Sequence, residues 1–282
     1  RVGVCGTGSS IAYARWLLGK LGAEVVSGAP PAPDVPMIVS GTAALPPAGD
    51  RPPLVVRLWD FHVGMTGSGI QASAVSGVSW VIGLPGRAPL FLPARIPEKW
   101  CATLGVSILL THFVEQLTLP GVTPPSREVD VSAAEILRGF ADQNFGNHKQ
   151  IPTSWRRNGR VSPEHGGIFP QGFFACADGY VSVIGRSRQD WALILAALGN
   201  PAWATDELRD PFKLARDSTP VDAHFAAELR KHTRDELLAL ALKVGATFAP
   251  VYARAEIRPA RIVRDSFFDA GGAVGLPFEI TA

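Results

Sequence analysis

The stretch Arg127-Glu128-Val129-Asp130-Val131-Ser132-Ala133-Ala134-Glu135 decides the fold that we predict for this chain. Its two valines alternate with polar residues, and this period of two is typical of a half-buried β-strand. Apolar residues at helical spacing follow directly: Ile136, Leu137 and Phe140. Ser132 can cap that helix, and Glu135 stands three residues later, at the spacing of a capping box. The segment therefore predicts a strand that runs straight into a helix over residues 132–145.

The beginning of the chain predicts a β-α-β unit. Val2–Cys5 is a short apolar strand, residues 11–21 have helical periodicity up to Gly22, and residues 23–26 form the next strand. Such an opening is typical of doubly wound sheets, so we predict an α/β fold with a Rossmann-like large domain. The turn Gly6-Thr7-Gly8-Ser9-Ser10 precedes the helix, whose N-terminal amides can hold an anion.

A nicotinamide-dinucleotide site is a weak interpretation of that turn. Ile11 stands where the third glycine of the fingerprint belongs, and no acidic residue ends the second strand.

The rest of the chain predicts two lobes. The large domain continues to residue 146, with strands at 37–39 and 54–58 and helices at 70–77 and 100–117, the last buried on most of its sides. A polar and basic linker covers 147–168. A smaller α/β domain spans 169–255; it begins with a hairpin at 173–184, joined by Asp178-Gly179, and also contains helices at 189–198, 224–230 and 234–244 and a strand at 248–252. Residues 256–282 return to the large domain, with a last strand at 277–280.

Composition excludes several classes of protein. Charged residues make up 18% of the chain and apolar residues 46%, which argues against disorder and for extensive buried surface, including a subunit interface. The net charge of +2 gives no electrostatic case for binding nucleic acid or a membrane. The three cysteines are far apart and lack zinc-site spacing, so we expect reduced, buried thiols and no metal. The longest apolar run, 102–110, is too short for a bilayer, and we expect a cytoplasmic protein.

Several segments, in order, resemble the family III CoA-transferases, the group of formyl-CoA transferase, carnitine CoA-transferase and alpha-methylacyl-CoA racemase. They are "ARWLLGKLGAEVV" at 14–26, "QASAVSG" at 71–77, "EVDVSAAE" at 128–135, "FFACADGYVSV" at 173–183 and "ATFAPVYARAEI" at 246–257. The resemblance implies a Rossmann-like domain, a small α/β domain and two chains interlocked as rings. It also implies acyl-CoA thioesters as substrates.

The resemblance implies a reacting Asp that this chain lacks. In the family, that Asp precedes the helix found here at 100–117, attacks the thioester and carries the acyl group as a mixed anhydride. By spacing, its position falls on Ala94 or Arg95. The racemases also use a His, and its position falls on Ser68 or Gly69. A family segment that contacts CoA is replaced by the short stretch 27–33.

Four kinds of candidate site residue remain. Glu98 is the one carboxylate near the reacting position, and it is either a catalyst or a helix-start carboxylate. His62 lies in a glycine-containing loop and is a candidate acid or base. Gly8, Ser9 and Ser10 either contact the pantetheine or a phosphate of CoA or form a structural turn. Arg57 is a further candidate contact for CoA.

Other polar residues have interpretations that remain open. The basic stretch 155–160 could hold phosphates or be a solvated linker. Glu135 is expected to cap its helix, Asp130 to pair with Arg127 or with a neighbouring strand, and His112 to be buried in an apolar helix.

Three hypotheses follow for function. The first is an active CoA-transferase-like enzyme that uses Glu98 or a carboxylate from a partner chain. The second is a non-catalytic subunit or scaffold that binds acyl-CoA, as a homodimer or in a heteromer with a paralogous catalytic subunit. The third is an enzyme that uses the same cleft for another small-molecule substrate. None requires a covalently bound cofactor; CoA or acyl-CoA is the expected ligand.

Overall fold

The short apolar runs of the sequence become strands in the computed structural model of the chain. The structure describes residues 1–27, 34–45, 52–93, 95–119, 121, 125–146, 157, 169–257, 259–260, 267–268 and 271–277. They belong to two compact units: residues 1–83 with 87–155, and residues 84–86 with 156–282. The predicted linker lies outside the described residues except for Arg157, as does most of the predicted strand 277–280, and the predicted domain boundaries stay predictions.

Unit 1 contains a five-stranded parallel sheet. Its strands are β1 (Val2–Cys5), β2 (Val25–Ser27), β3 (Met37–Ser40), β4 (Leu54–Trp59) and β5 (Arg127–Ser132). Their order in the sheet is β2-β1-β3-β4-β5, and every neighbouring pair is parallel. This is a doubly wound order, in which the chain changes direction across the sheet between β1 and β3. The predicted α/β class and its parallel sheet are confirmed.

Five helices accompany this sheet in the described part of unit 1: α1 (Ser9–Lys20), α2 (Gly69–Val75), α3 (Val78–Val81), α4 (Ile96–Thr118) and α5 (Ala133–Gly146). One face of the sheet packs against α1 and α4 through alternate strand residues, because side chains two apart lie on the same face of a strand. The buried side chains of this core include Val4, Ile38, Val56, Val131, Ile11, Leu18 and Leu109. Met37, Val39 and Val55 form a smaller cluster.

Helix α4 differs from its prediction. It buries Cys101, Val106 and Leu109, but Val114 and Leu117 are exposed. The prediction that α4 is buried on most sides is therefore wrong for the single chain, because only one stripe of a helix can face a sheet. Within the described part of the chain, α4 is the one helix long and apolar enough to span a membrane by length and composition. Core helices also meet that criterion, and the packing of α4 is that of a core helix.

Unit 2 is built around a three-stranded antiparallel sheet. β6 (Gln171–Cys176) and β7 (Gly179–Ile184) form the predicted hairpin, and β8 (Phe248–Pro250) pairs with β7. Cys176 pairs with Gly179, so the two turn residues are Ala177 and Asp178, one residue earlier than predicted. The Asp178 carboxylate accepts a hydrogen bond from the backbone N–H of Arg234 at 2.8 Å, which fixes the turn in this register.

The helices of unit 2 are α6 (Arg188–Ala197), α7 (Pro211–Leu214), α8 (Thr219–Leu229), α9 (Arg234–Val244) and α10 (Arg254–Ile257), with a short 3-10 turn at Asp206–Leu208. Four buried aromatic rings form the centre of this unit and meet edge to face: Phe169, Phe174, Trp191 and Phe225. Helix α6 ends at Gly199 and Asn200, both with positive φ, as predicted.

His112 is buried in α4, as predicted, and gives the chain a pH-dependent stability. Its side chain is 4% exposed, and neither ring nitrogen has a hydrogen-bond partner among the described residues. Its Nδ1 lies 4.0 Å from Glu115 Oε2, but Arg127 already binds that carboxylate through both terminal guanidinium nitrogens, at 2.8 and 2.9 Å. Burial lowers the pKa of His112 below its usual 6.5.

We predict that the stability of the chain falls as the pH drops below about 6.5. The unfolded chain takes up a proton there that the folded chain excludes, so acid favours unfolding until the pH reaches the lowered pKa of folded His112. Urea unfolding between pH 5 and pH 8 measures this effect. His112→Phe should flatten the pH dependence and His232→Phe should leave it unchanged; an unchanged slope in His112→Phe would contradict the interpretation.

Candidate functional site

The carboxyl ends of the parallel strands define the candidate site. In doubly wound sheets, ligands bind outside these ends, at the point where the strand order reverses. Here that point lies between β1 and β3. The turn Gly6–Gly8 follows β1, Gly41 follows β3, and Asp60 follows β4, so these segments meet at one edge of the sheet.

The chain's own Asp60 binds the N-terminus of α1. Its carboxylate accepts hydrogen bonds from the backbone N–H of Ser9 at 2.8 Å and of Ser10 at 3.0 Å. Gly8 permits this approach, since it has a φ of +132° and a Cβ there would lie only 3.1 Å from Asp60 Oδ2. The sequence analysis left this turn open between a contact for CoA and a structural turn, and it missed Asp60, although an acidic residue just beyond a predicted strand was a usable signal.

Arg95 stands at the N-cap of α4 in a left-handed conformation, with a φ of 57°. Its Nη1 donates a hydrogen bond to Ser9 Oγ at 2.8 Å, so the guanidinium lies beside the start of α1. Ala94, the other position assigned to the reacting Asp, lies outside the described residues. Arg95, one of the two positions that sequence spacing assigns to the reacting Asp, thus places a guanidinium beside the N-terminus of α1.

Glu98 is turned into the protein. It is 5% exposed, and its Oε1 accepts a hydrogen bond from the backbone N–H of Gly69 at 2.8 Å. Its Oε2 is buried and has no hydrogen-bond partner among the described residues. A Cβ at position 69 would overlap this carboxylate, so any larger residue there would force the Glu98 side chain to move. Glu98 therefore ties the start of α4 to the start of α2.

Cys101 lies three residues after Glu98, about one helical turn along α4, and is buried, as predicted. Its Sγ donates to the backbone carbonyl of Val131 at 3.2 Å. Burial raises the pKa of the thiol to about 12, so the thiolate is not populated near neutral pH. Cys101 is a packing residue and not a nucleophile, because the thiolate is the reactive form of cysteine.

His62 and Glu135 form a half-exposed pair. His62 Nε2 lies 3.9 Å from Glu135 Oε1, and both side chains are about half exposed. Ser132 caps α5, as predicted: its Oγ accepts from the backbone N–H of Glu135 at 3.3 Å and donates to the carbonyl of Phe61 at 3.0 Å. The cap holds the His62 loop against the start of α5.

Arg57 has structural partners. Its Nε lies 2.5 Å from Glu128 Oε1, and its Nη1 donates to the carbonyls of Gly41 at 2.9 Å and Ala43 at 3.0 Å. Asp130 accepts from the indole of Trp59 on the neighbouring strand, one of its two predicted partners, while Arg127 pairs with Glu115. The candidate contact Arg57 therefore fixes the loop after β3.

Unit 2 contains a cavity of its own, of about 790 Å³, beside Arg234. Arg234 binds both oxygens of Glu256, at 3.0 and 2.8 Å, and also Asp178. This pairing lowers the pKa of Glu256 to about 2. The sequence analysis missed the cluster, which ties the hairpin turn to α9 and α10. The described residues of the two units contain no group of side chains suited to a metal ion.

Comparison with known proteins identifies the family. The model of CoA-transferase family III matches residues 62–273, which is most of the chain. The chain therefore belongs to CoA-transferase family III, and the resemblance found in the sequence is confirmed.

Solved structures agree on the fold. A CaiB/BaiF family protein from Brucella suis is 17% identical, with a TM-score of 0.68 over 87% of this chain and 68% of that one. A hypothetical protein from Mycobacterium tuberculosis, Rv3272, is 15% identical, with a TM-score of 0.74 over 100% of this chain and 91% of that one. Among curated proteins, none matches the chain.

We predict that Asp60→Ala destabilises the protein by about 1–3 kcal/mol. The substitution leaves two backbone amides of α1 without their charged acceptor, and such bonds carry about that free energy. Urea unfolding followed by tryptophan fluorescence measures the change. Asp206→Ala, at a carboxylate that is fully exposed, is the matched control and should cost less than about 0.5 kcal/mol. Equal effects of the two substitutions would show that Asp60 does not anchor α1.

Proposed function

We propose that this chain binds acyl-CoA thioesters at the carboxyl edge of its parallel sheet but does not form the acyl-enzyme intermediate of its family by itself. Family membership supports the ligand class. One observation supports the loss of chemistry: Arg95 stands in the region of the reacting Asp, and the nearest carboxylate on the same helix, Glu98, is buried against Gly69.

The covalent reaction needs a free carboxylate at the thioester. A carboxylate oxygen would bond to the acyl carbon while the thiolate of CoA leaves, and the reacting atoms must first approach within roughly 3–3.5 Å. Glu98 would have to break its bond to Gly69 and rotate out of the core to do this. Arg95 is a permanent cation and can neither attack nor accept a proton.

The acid and base that racemase chemistry requires also have no equivalent at the positions that the resemblance implies. Proton exchange beside a thioester uses an acid and a base on opposite sides of the carbon. Ser68 stands at one predicted base position, but both its backbone N–H and its hydroxyl bind Gln71, at 2.8 and 2.5 Å. Gly69 has no side chain. The two-base mechanism therefore has no support in this chain.

The surface of unit 1 supports assembly with another chain. Large apolar side chains on α2 and α4 are exposed in the isolated subunit: Ile70, Val75, Leu104, Leu110, Val114 and Leu117. An exposed apolar surface often marks a contact with another protein when it forms a large patch. We propose that the chain works as one subunit of a homodimer, or of a heteromer whose partner supplies a catalytic carboxylate.

A repurposed enzyme is the second candidate function. The half-exposed pair of His62 and Glu135 favours it, because a carboxylate beside an imidazole is a common acid–base arrangement. Such an enzyme would act on a small molecule other than a CoA thioester.

We predict that the isolated protein binds CoA and acyl-CoA without becoming acylated. A ligand at 100 times its dissociation constant should stabilise the fold by about 2.7 kcal/mol in a thermal-shift assay. Hydroxylamine should then capture no hydroxamate from the protein incubated with acyl-CoA. Capture from the wild type that is lost in Glu98→Gln would show instead that Glu98 is the nucleophile, and the absence of any thermal shift would exclude CoA as the ligand of this chain alone.

We predict that light scattering of the purified chain shows a dimer. Val114→Glu should weaken that dimer, because a carboxylate would be buried in an apolar contact on α4. Leu242→Glu, on the exposed side of α9, is the matched control. A monomeric wild-type chain would contradict the proposed homodimer, and the heteromer would then be the remaining proposal.

A further inference from the structure

Two cations on the first turns of α4 point toward α1. Arg95 is the N-cap of α4 and Lys99 lies in its first turn, and both side chains contact residues of α1. Arg95 Nη1 donates to Ser9 Oγ at 2.8 Å. Lys99 Nζ lies 5.8 Å from the ring centroid of Tyr13, over the ring, which is cation–π distance. Both charges are therefore held beside α1, next to the strand-order reversal of the sheet.

Neither cation is neutralised within the described parts of the chain. The Asp60 carboxylate, which follows β4 at this edge, binds the amides of Ser9 and Ser10. The Glu98 carboxylate faces Gly69, on another side of α4. No ion pair to Arg95 or Lys99 occurs among the described residues, and Arg95 uses one of its five N–H donors on Ser9.

The backbone of Arg95 is strained to hold this position. A φ of 57° places a residue with a side chain in the left-handed region, which such residues seldom adopt. Such strain concentrates at ligand sites, where the surrounding structure holds a side chain in one orientation. In this chain, the left-handed backbone of Arg95 places its guanidinium where the resemblance implies the thioester of a bound acyl-CoA.

We propose that Arg95 and Lys99 bind a carboxylate carried by the acyl group, which makes this chain selective for ω-carboxyacyl-CoA ligands. This inference rests on the proposed function, which supplies the CoA thioester. A guanidinium binds both oxygens of a carboxylate through its planar fork, and an ammonium adds a point charge that favours the same anion. The anion could also be a phosphate of CoA, and the experiment separates these sources.

The test compares two thioethers that differ in one group, S-(3-carboxypropyl)-CoA and S-butyl-CoA, with adenosine 3′,5′-bisphosphate as a third ligand. Calorimetry measures each dissociation constant for the wild type and for Arg95→Gln, Lys99→Gln and the double variant. Arg87→Gln and Lys213→Gln are the matched controls, because they remove exposed cations elsewhere. The melting temperature of every variant shows whether it is folded.

We expect the wild type to bind the carboxylate thioether at least tenfold more tightly than S-butyl-CoA, since one charge-assisted hydrogen bond has about that effect. The double variant should bind both thioethers alike, while its affinity for S-butyl-CoA and for the bisphosphate stays unchanged. The controls should retain the wild-type ratio.

Other outcomes overturn the inference. If the wild type binds both thioethers equally, the carboxylate selectivity does not exist, although the proposed CoA binding stands. If the variants weaken both thioethers and the bisphosphate equally, the two cations bind a phosphate and the inference is wrong. If no CoA derivative binds, both the proposed function and this inference are wrong.

Discussion

The pairing of Asp60 with the first amides of α1 is the interaction on which the candidate site depends. It joins the end of β4 to the start of the helix that follows β1, directly beside the reversal of strand order. A helix N-terminus at this place normally offers its amides and its positive dipole to an anionic ligand. In this chain a side chain already satisfies them. The candidate site at this edge therefore depends on side chains beside α1, and Arg95 is one of them.

Arg95 and Glu98 are the two residues on which the proposal of ligand binding without an acyl-enzyme rests. The cation lies at the exposed end of α4, whereas the carboxylate is inside and holds α2 through Gly69. If Glu98 turned outward to the exposed end of α4, its hydrogen bond to Gly69 would break. The buried amide of Gly69 would then have no acceptor. These orientations are consistent with the proposal of ligand binding without acyl transfer, and they leave the core of α1, α4 and the sheet intact.

Much of the fold was predictable because its elements follow local patterns. The alternation of Val129 and Val131 with polar residues, and the Ser132 cap, predicted the β5–α5 junction correctly. The exposed apolar side of α4 was not predictable, because an apolar helix gives no local sign of which of its faces packs against the sheet. The register of the β6–β7 turn depends on Asp178 and Arg234, which are far apart in sequence.

The candidate site was less predictable than the fold. Glu98 was found by its closeness to the expected nucleophile, but its burial depends on Gly69, thirty or so positions away, and no spacing rule connects the two. Asp60 and the cation pair on α4 were missed for the same reason: their roles exist only where separate segments meet at the edge of the sheet. Sequence patterns predict the residues of a single segment, but not which residues of different segments come together in the fold.

The structure of the protein with bound S-butyl-CoA would test the central claim most directly. Our account predicts that the butyl carbon bonded to sulfur lies near the Arg95 guanidinium and that Glu98 still binds the amide of Gly69. It also predicts that no carboxylate oxygen of this chain lies within roughly 3–3.5 Å of that butyl carbon, the distance that covalent attack requires. A Glu98 or Asp60 carboxylate rotated to that distance would contradict the account and would identify a working nucleophile.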